Sequence, residues 1–456
     1  MPVIWAKQAL TAQVWQRDVA VTLDAEGRIG DVVAGVPHAA GQERTDILLP
    51  APANVHSHAF QRAMAGMTEA RGPDGRDSFW TWRRLMFRFL DQLTPDHVEA
   101  IAALVQMEML ESGYATNVEF HYLHHRPGGV PYDNIAEMST RIAAAAEQTG
   151  IGLTLLPVHY RFGGCDGRPL GPGQIRFGTD PDSFARLHEG AGAALKGLPN
   201  DTRLGVAPHS LRAVAPGDLP AIAALAGDGP VHMHLAEQVA EVEEVQAAWG
   251  ARPVEWLLQN AQVDGRWCLI HCTQMQPHET VDLARSGAVA GLCPITESNL
   301  GDGIFDGVRW LDEDGRIAIG SDSNIRITLC EELRTLEYSQ RLRDRSRAVL
   351  ATDTQSTGRR LFGAAVAGGA QAAGRGQGGI APGSWGDLVA LDGGAIDLAG
   401  REGDAILDAY VFAGDDHMVS AVWSAGRAVV REGRHVRRDE IRARYLRAMA
   451  DLRDAL

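Results

Sequence analysis

The sequence is short of lysine. Among 456 residues and 43 basic side chains, only Lys7 and Lys196 are lysines, and the rest are arginines. Schiff-base chemistry therefore has two candidates, and the phosphate-cradling pattern G-x-x-x-x-G-K-[ST] is absent. Cysteine is scarce too. Cys165, Cys268, Cys272, Cys293 and Cys330 make an odd set with no C-x-x-C pair, which argues against a disulfide framework and fits a reducing compartment. No apolar run reaches about 18 residues, so no membrane span is expected. The opening Met1-Pro2-Val3-Ile4-Trp5-Ala6-Lys7 lacks the apolar region of a signal peptide. A cytoplasmic protein is the expectation. Positive charge is in deficit: 43 basic against 58 acidic residues gives −15, which disfavours a nucleic-acid partner. No G-x-G-x-x-G follows the first strand of a βαβ unit, so a Rossmann-type oxidoreductase is excluded.

What is present is a large apolar fraction, 45%, with only 22% charged residues. That is ample for a sizeable core and excludes disorder as the main state. Residues 1–50 read as short strands, with a turn at Asp24-Ala25-Glu26-Gly27. The chain end reads alike, with a strand at Leu388–Leu391 and a hairpin around Ala425-Gly426-Arg427. A Gly/Ala-rich stretch at about 365–383 marks a boundary, and helical periodicity begins near Glu440. In between, eight apolar runs alternate with amphipathic stretches such as Asp96–Glu111 and Pro277–Arg285. The runs are Ala53–His58, Thr116–Tyr122, Leu153–Tyr160, Leu204–Ser210, Val231–Glu237, Cys268–Thr273, Val289–Thr296 and Ile317–Ser323. This alternation predicts an α/β fold, a (β/α)8 TIM-type barrel. The expected domains are 1–50, 51–372 and 373–456: the barrel in the middle, and a small β-sandwich with a C-terminal helix built from both ends.

The runs start apolar and end polar. His56 and His58 close the first; Glu119, His121 and Tyr122 the second; His159 and Tyr160 the third; His209 and Ser210 the fourth. His232, His234 and Glu237 close the fifth, His271 the sixth, Thr296 and Glu297 the seventh, and Asp322 the eighth. In a barrel these ends converge on one mouth, where active sites form. Side chains alternate along a strand, so His56 and His58 point the same way. With His234 and Asp322 they offer three nitrogens and one carboxylate, a donor set that suits one Zn²⁺ and also admits iron or another divalent ion. His232 would lie one layer deeper. Glu237 is placed to shuttle a proton, and His271 and Asp322 to orient or deprotonate a water. The carboxylated lysine that bridges two ions in many barrel hydrolases has no candidate here, so one ion is expected. Cys272 and Cys293 read as small buried hydrophobes, and Gly301-Asp302-Gly303 as a turn.

Leu48-Leu49-Pro50, Asn54-Val55-His56-Ser57-His58, His234-Leu235-Ala236-Glu237, His271 and Gly320-Ser321-Asp322-Ser323 together resemble the mononuclear deaminase branch of the amidohydrolase superfamily. Longer strings are more specific. They are His58-Ala59-Phe60-Gln61-Arg62, Asp77-Ser78-Phe79-Trp80-Thr81-Trp82-Arg83, Glu119-Phe120-His121-Tyr122 and His209-Ser210-Leu211-Arg212. These resemble the formimidoylglutamate deiminase family. The resemblance implies hydrolysis of N-formimidoyl-L-glutamate to N-formyl-L-glutamate and ammonia in histidine degradation, and a homodimer. It implies substrate contacts at Gln61, Arg83, Tyr122, His209 and Arg212, with Arg83 and Arg212 in loops on the mouth side. Arginine suits bidentate capture of a dicarboxylate small molecule. Trp80 and Trp82 read as core, with the pocket wall as the alternative. Asn324 departs from the resembled pattern, in which a histidine follows Ser323. Two rival readings stay open: a purine or other aromatic-amine deaminase on the same centre, and a catalytically silent barrel used as a scaffold.

Overall fold

The structure is a computed structural model that describes residues 1–12, 14–69 and 79–455. Asp77 and Ser78 of the sequence motif, and the side chain of Trp80, lie outside the described residues.

Both chain ends are built of strands. β1 (Val3–Thr11), β2 (Val14–Leu23), β3 (Ile29–Val33) and β4 (Glu43–Pro50) come first. The barrel strands follow: β5 (Ala53–Ser57), β6 (Thr116–His121), β7 (Gly152–His159), β8 (Arg203–Leu204), β9 (Ala207–Pro208), β10 (Val231–Leu235), β11 (Trp267–His271), β12 (Val289–Leu292) and β13 (Arg316–Ile319). β14 (Leu388–Leu391), β15 (Val419–Ser424), β16 (Arg427–Arg431) and β17 (Arg434–His435) close the chain before a helix at Arg438–Ala455.

The middle strands form one parallel sheet in the order β10-β11-β12-β13-β5-β6-β7-β8, with β9 also on β7. Isolated bridges Val206↔Val231 and Ser210↔His234 join the last strand position back to β10 and close the ring. The fold is thus a (β/α)8 barrel. The fourth run, expected to be continuous, is split into β8 and β9. A Cβ at Gly205 would lie 2.3 Å from the Pro230 carbonyl oxygen, and Pro208 has no N–H for a ladder. The seventh run is shorter than expected. β12 stops at Leu292, because Pro294 opens a helix, Pro294–Leu300, that carries Thr296 and Glu297.

Parallel strands are covered on both faces, so β6, β7, β10 and β11 are buried at every position. The helix Thr357–Ala372 lies against β13 and β5, and its C-terminal end reaches the end of the barrel opposite the mouth. The Gly/Ala-rich stretch read as a boundary begins inside this helix for a steric reason. A Cβ at Gly368 would lie 2.0 Å from the Ile317 carbonyl oxygen, so only glycine lets the helix lie against the strands. The Ala372 carbonyl accepts from His232 Nε2 at 2.8 Å, which places His232 beneath His234, as its two-residue spacing implies.

The chain ends form an eight-stranded sheet, β17-β16-β15-β14-β4-β1-β2-β3, parallel at β1/β4 and antiparallel elsewhere. It curls around its own apolar cluster, which joins Ile29 of β3 to Trp423 of β15 across the intervening strands. A buried ionic network ties this sheet to the barrel. Asp201 accepts from Arg427 at 2.8 Å and Arg375 at 3.0 Å, and Arg375 grips Asp387 with two bonds of 2.8 Å. Removing Asp201 leaves Arg375 with Asp387 alone and takes away the carboxylate that Arg427 holds, and breaking a buried pair in this way costs about 3 kcal/mol. Asp201→Ala should therefore lower unfolding stability by about 3 kcal/mol in denaturant titration. A loss too small to resolve would show that the network contributes nothing net.

Candidate active site

The strand ends meet at one mouth, and their polar residues line one cleft. His58, His234, His271, Asp322, Glu237, Gln61, Arg83, Tyr122, His209 and Arg212 all line it, and His56 lies fully buried beneath. The sequence-predicted site residues are therefore one constellation.

At its floor, His56, His58, His234 and Asp322 each aim one ligand atom into a space where all four atoms lie within 4.8 Å of one another. His56 Nε2 is 3.1 Å from His234 Nε2, and Asp322 Oδ1 is 3.3 Å from Nε2 of both His56 and His58. The tautomers follow from the outer nitrogens. His58 Nδ1 donates to the Phe120 carbonyl at 2.9 Å, and His234 Nδ1 to the His209 carbonyl at 3.0 Å. Their Nε2 lone pairs therefore face inward. Burial lowers the proton affinity of all three histidines, and with His58 beside it His56 drops to about 3. Burial raises Asp322, but bonding to His56 and the surrounding imidazoles outweigh it and hold the carboxyl well below the usual range. Converging lone pairs beside a carboxylate need a positive charge, and burial disfavours a proton there. The four residues can hold a metal, with the nitrogen-rich set that favours four-coordination.

Above the floor lie two proton-handling groups. His271 Nε2 is 3.9 Å from Glu237 Oε1 and 3.9 Å from Asp322 Oδ2. Burial opposes charge on His271, yet Glu237, Glu297 and Asp322 prevail and lift it to about 10. Burial also raises Glu237, against the pull of His271 and Arg212. The loop of Glu237 is anchored at both ends of its peptide: its N–H donates to Glu241 at 3.0 Å, and its carbonyl accepts from Thr273 at 2.7 Å.

The cleft wall carries cations and neutral donors. Arg83 was expected in a loop. It lies instead in the helix Phe79–Leu90, whose apolar side chains Met86, Phe89 and Leu90 bury one face. Its Nη2 donates to Tyr160 Oη at 2.9 Å, and Gln174 Nε2 donates to the same oxygen at 2.9 Å. Gln61 donates to Tyr122 Oη at 2.7 Å. Arg212 is buried, and Glu241, Tyr160 and Glu237 offset the burial and raise it further. Trp82 is half-buried, lining the cleft and also packing on the core.

Several supporting roles escaped the sequence reading. Asn54 Nδ2 donates to Ser321 Oγ at 2.7 Å, Ser321 Oγ to Asn324 Oδ1 at 2.6 Å, and Asn324 Nδ2 to Ser57 Oγ at 3.2 Å. This chain stitches the end of β13 to the end of β5, which explains a role for Asn324 where the resembled pattern has histidine. Glu297 accepts from His271 Nδ1 at 3.3 Å and from the Cys293 N–H at 2.8 Å. The only advance signal was position: each of these residues lies within a few places of a candidate ligand or follows a strand end.

Comparison with known proteins gives concordant matches. The Amidohydrolase family profile covers residues 47–429, and that of the formimidoylglutamate deiminase HutF N-terminal domain covers residues 1–46. The chain is 46% identical over 457 residues to a formimidoylglutamate deiminase of Pseudomonas aeruginosa, with 100% of each covered. It is 27% identical to an 8-oxoguanine deaminase of the same organism over 75% of this chain and 74% of that one. A crystal structure of an amidohydrolase from Brucella melitensis superposes with TM-score 0.95 at 47% identity, covering 99% of this chain and 100% of that one. An adenosine deaminase from Xanthomonas campestris with bound zinc shares the fold, with TM-score 0.82 at 22% identity over 99% and 98% of the two chains.

Replacing His56 or His234 with alanine should abolish tight divalent-metal binding, while Glu237→Gln retains it. Elemental analysis of the purified variants measures this directly. Full metal content in His56→Ala would place the ion elsewhere.

Proposed function

The chain belongs to the amidohydrolase family, and from that premise we propose that it hydrolyses N-formimidoyl-L-glutamate to N-formyl-L-glutamate and ammonia, a step of histidine degradation. It is a hydrolase, 46% identical over its whole length to a formimidoylglutamate deiminase. The observation that carries the reading is the cleft itself. One wall bears two guanidiniums, Arg83 and Arg212, and the floor bears the buried histidine–aspartate set. A substrate with two carboxylates and one amidine-like group matches both. Zinc is the ion proposed for the floor, supported by three nitrogens and one carboxylate in a tetrad.

When bound, the ion supplies Lewis acidity that brings the pKa of water towards about 7. The protein's own groups do the rest. Arg83 and Arg212 hold the carboxylates through charge-assisted hydrogen bonds. Tyr122 and His209, both neutral because burial raises the phenol and lowers the imidazole, offer hydrogen bonds without adding charge. His271, set 3.9 Å from both Glu237 and Asp322, orients the attacking water together with Asp322. Glu237 takes the water's first proton on its carboxylate and passes it to the imine nitrogen as the water oxygen bonds to the formimidoyl carbon. It then takes the second proton, from the new hydroxyl, and passes it to the same nitrogen as the C–N bond breaks, so the formyl carbonyl forms and ammonia departs as a neutral molecule. A cytoplasmic homodimer is part of this proposal. Five free cysteines support a reducing compartment, and the dimer rests on resemblance alone. No helix among the described residues is long and apolar enough to cross a membrane.

Ammonia release from N-formimidoyl-L-glutamate, with guanine and adenosine in parallel, tests the reading. Release from the glutamate derivative alone is expected; release only from a purine would keep the metal floor and refute the arginine pocket. Glu237→Gln should cut kcat by about 10²–10⁴-fold with metal retained, and near-normal turnover would remove Glu237 from its role. Arg83→Met and Arg212→Met should each lower kcat/KM by about 10–100-fold, the worth of a hydrogen bond to a charged group at about 1.5–3 kcal/mol. Unchanged values in both would place the carboxylates elsewhere.

A further inference from the structure

The turn Gly301-Asp302-Gly303 takes no part in the chemistry above, yet it buries a carboxyl beside it. Asp302 is 2% exposed, between glycines at φ +73 and +122, a turn geometry more usual at a solvated surface. Its side chain points inward. Oδ1 accepts from Gln238 Nε2, and its main-chain carbonyl accepts from Gln274 Nε2. Oδ2 is buried with no partner among the described residues. Gln238 directly follows Glu237. The Gln274 N–H donates to the Ala236 carbonyl at 2.9 Å, and the neighbouring Thr273 Oγ1 donates to the Glu237 carbonyl at 2.7 Å. The turn in its turn hangs from Glu297, the partner of His271, through the Asp302 N–H at 3.0 Å. A Cβ on Gly303 would lie 2.9 Å from Gln274 Nε2, so the turn sits directly on that side chain.

We propose that Asp302 is a positioning residue for Glu237, fixing the loop of the proton-carrying carboxylate through Gln238 and Gln274. Three loops from separate parts of the barrel rim become one hydrogen-bonded unit, in which the Asp302 side chain accepts from Gln238. Proton transfer is sensitive to placement, because a misplacement near 1 Å can cost about a hundredfold in rate. Burial, with Glu237 close by, pushes the Asp302 carboxyl up to about 9. The clasp therefore adds no second negative charge beside Glu237.

The proposal rests on the reading of Glu237 given above, so the experiment includes Glu237→Gln. Steady-state ammonia release from N-formimidoyl-L-glutamate and metal content are measured for D302A, D302N, Q238A and the D302A/Q238A pair. D302A should lower kcat by about ten- to a hundredfold, with KM and metal content unchanged. D302N keeps an acceptor for Gln238 and should recover most of kcat. Q238A should match D302A, and the pair should lose no more than either alone, because both act through one hydrogen bond. Unchanged kcat in D302A, no recovery in D302N, or losses that multiply in the pair would overturn the proposal. Should D302A fail to fold, Q238A decides by the same criterion. Turnover surviving in Glu237→Gln would instead refute the reading of Glu237 itself.

Discussion

Three imidazole nitrogens and one carboxylate oxygen converge in a place where water cannot separate them. Nε2 of His56 and His234 stand 3.1 Å apart, and Asp322 completes the set from the end of β13, the strand beside β5. Buried lone pairs at that spacing repel unless a cation sits among them. Burial works against an added proton on these rings, so the four groups form a site that can hold a metal. Much of the mouth serves to keep the four groups where they are. The outer nitrogens of His58 and His234 are tied to main-chain carbonyls, which sets both the tautomer and the ring angle.

Holding them there strains the backbone. Ala236, His271, Cys272, Asp322 and Asn324 all take positive φ without being glycine, at a cost on the order of 1 kcal/mol each. They cluster at the ends of β10, β11 and β13, where the chain must turn sharply while keeping a functional side chain at the mouth. The hydrogen bonds nearby offset that cost. The Asp322 N–H donates to the His56 carbonyl at 2.9 Å, the His58 N–H returns to the Asp322 carbonyl at 3.0 Å, and the Asn54–Ser321–Asn324–Ser57 chain locks the same joint from below. A ligand from the first barrel strand and one from the last are thereby fixed against each other rather than each against solvent.

The barrel was legible because a buried parallel strand has a simple signature: an apolar run with a polar end. His56, His58, His234 and Asp322 could be placed at one mouth on that ground alone, and the cleft brings them together with Glu237, His271 and both arginines. What was not legible depended on sterics between distant segments. The break between β8 and β9 follows from the closeness of Gly205 to Pro230, and the glycines near 368 serve helix packing rather than a linker. Arg83 was placed in a loop although Phe79–Leu90 sets polar residues at 81, 84 and 88 among apolar ones, a helical spacing that was legible and was missed. Asn324 and Glu297 carry no motif of their own; their partners are fixed by tertiary contact.

Charge poses the remaining physical question, since a chain at −15 must capture a dianion under this reading. Distant surface charges matter little, because the Debye length is about 8 Å at physiological ionic strength. The decision is local, and the local balance is close. Arg212 is buried among Glu241, Glu237 and Glu244, so its charge is largely spoken for before a ligand arrives. Arg83 spends a donor on Tyr160. Such guanidiniums do not bind any passing anion strongly, but they do penalise a neutral ligand. A ring amine filling the cleft would strip water from both cations and return no counter-charge, whereas two carboxylates would replace that water with charge-assisted bonds. Selectivity then comes from what the wrong substrate leaves unsatisfied, and the same metal floor can serve deaminases of different specificity by changing only the wall above it.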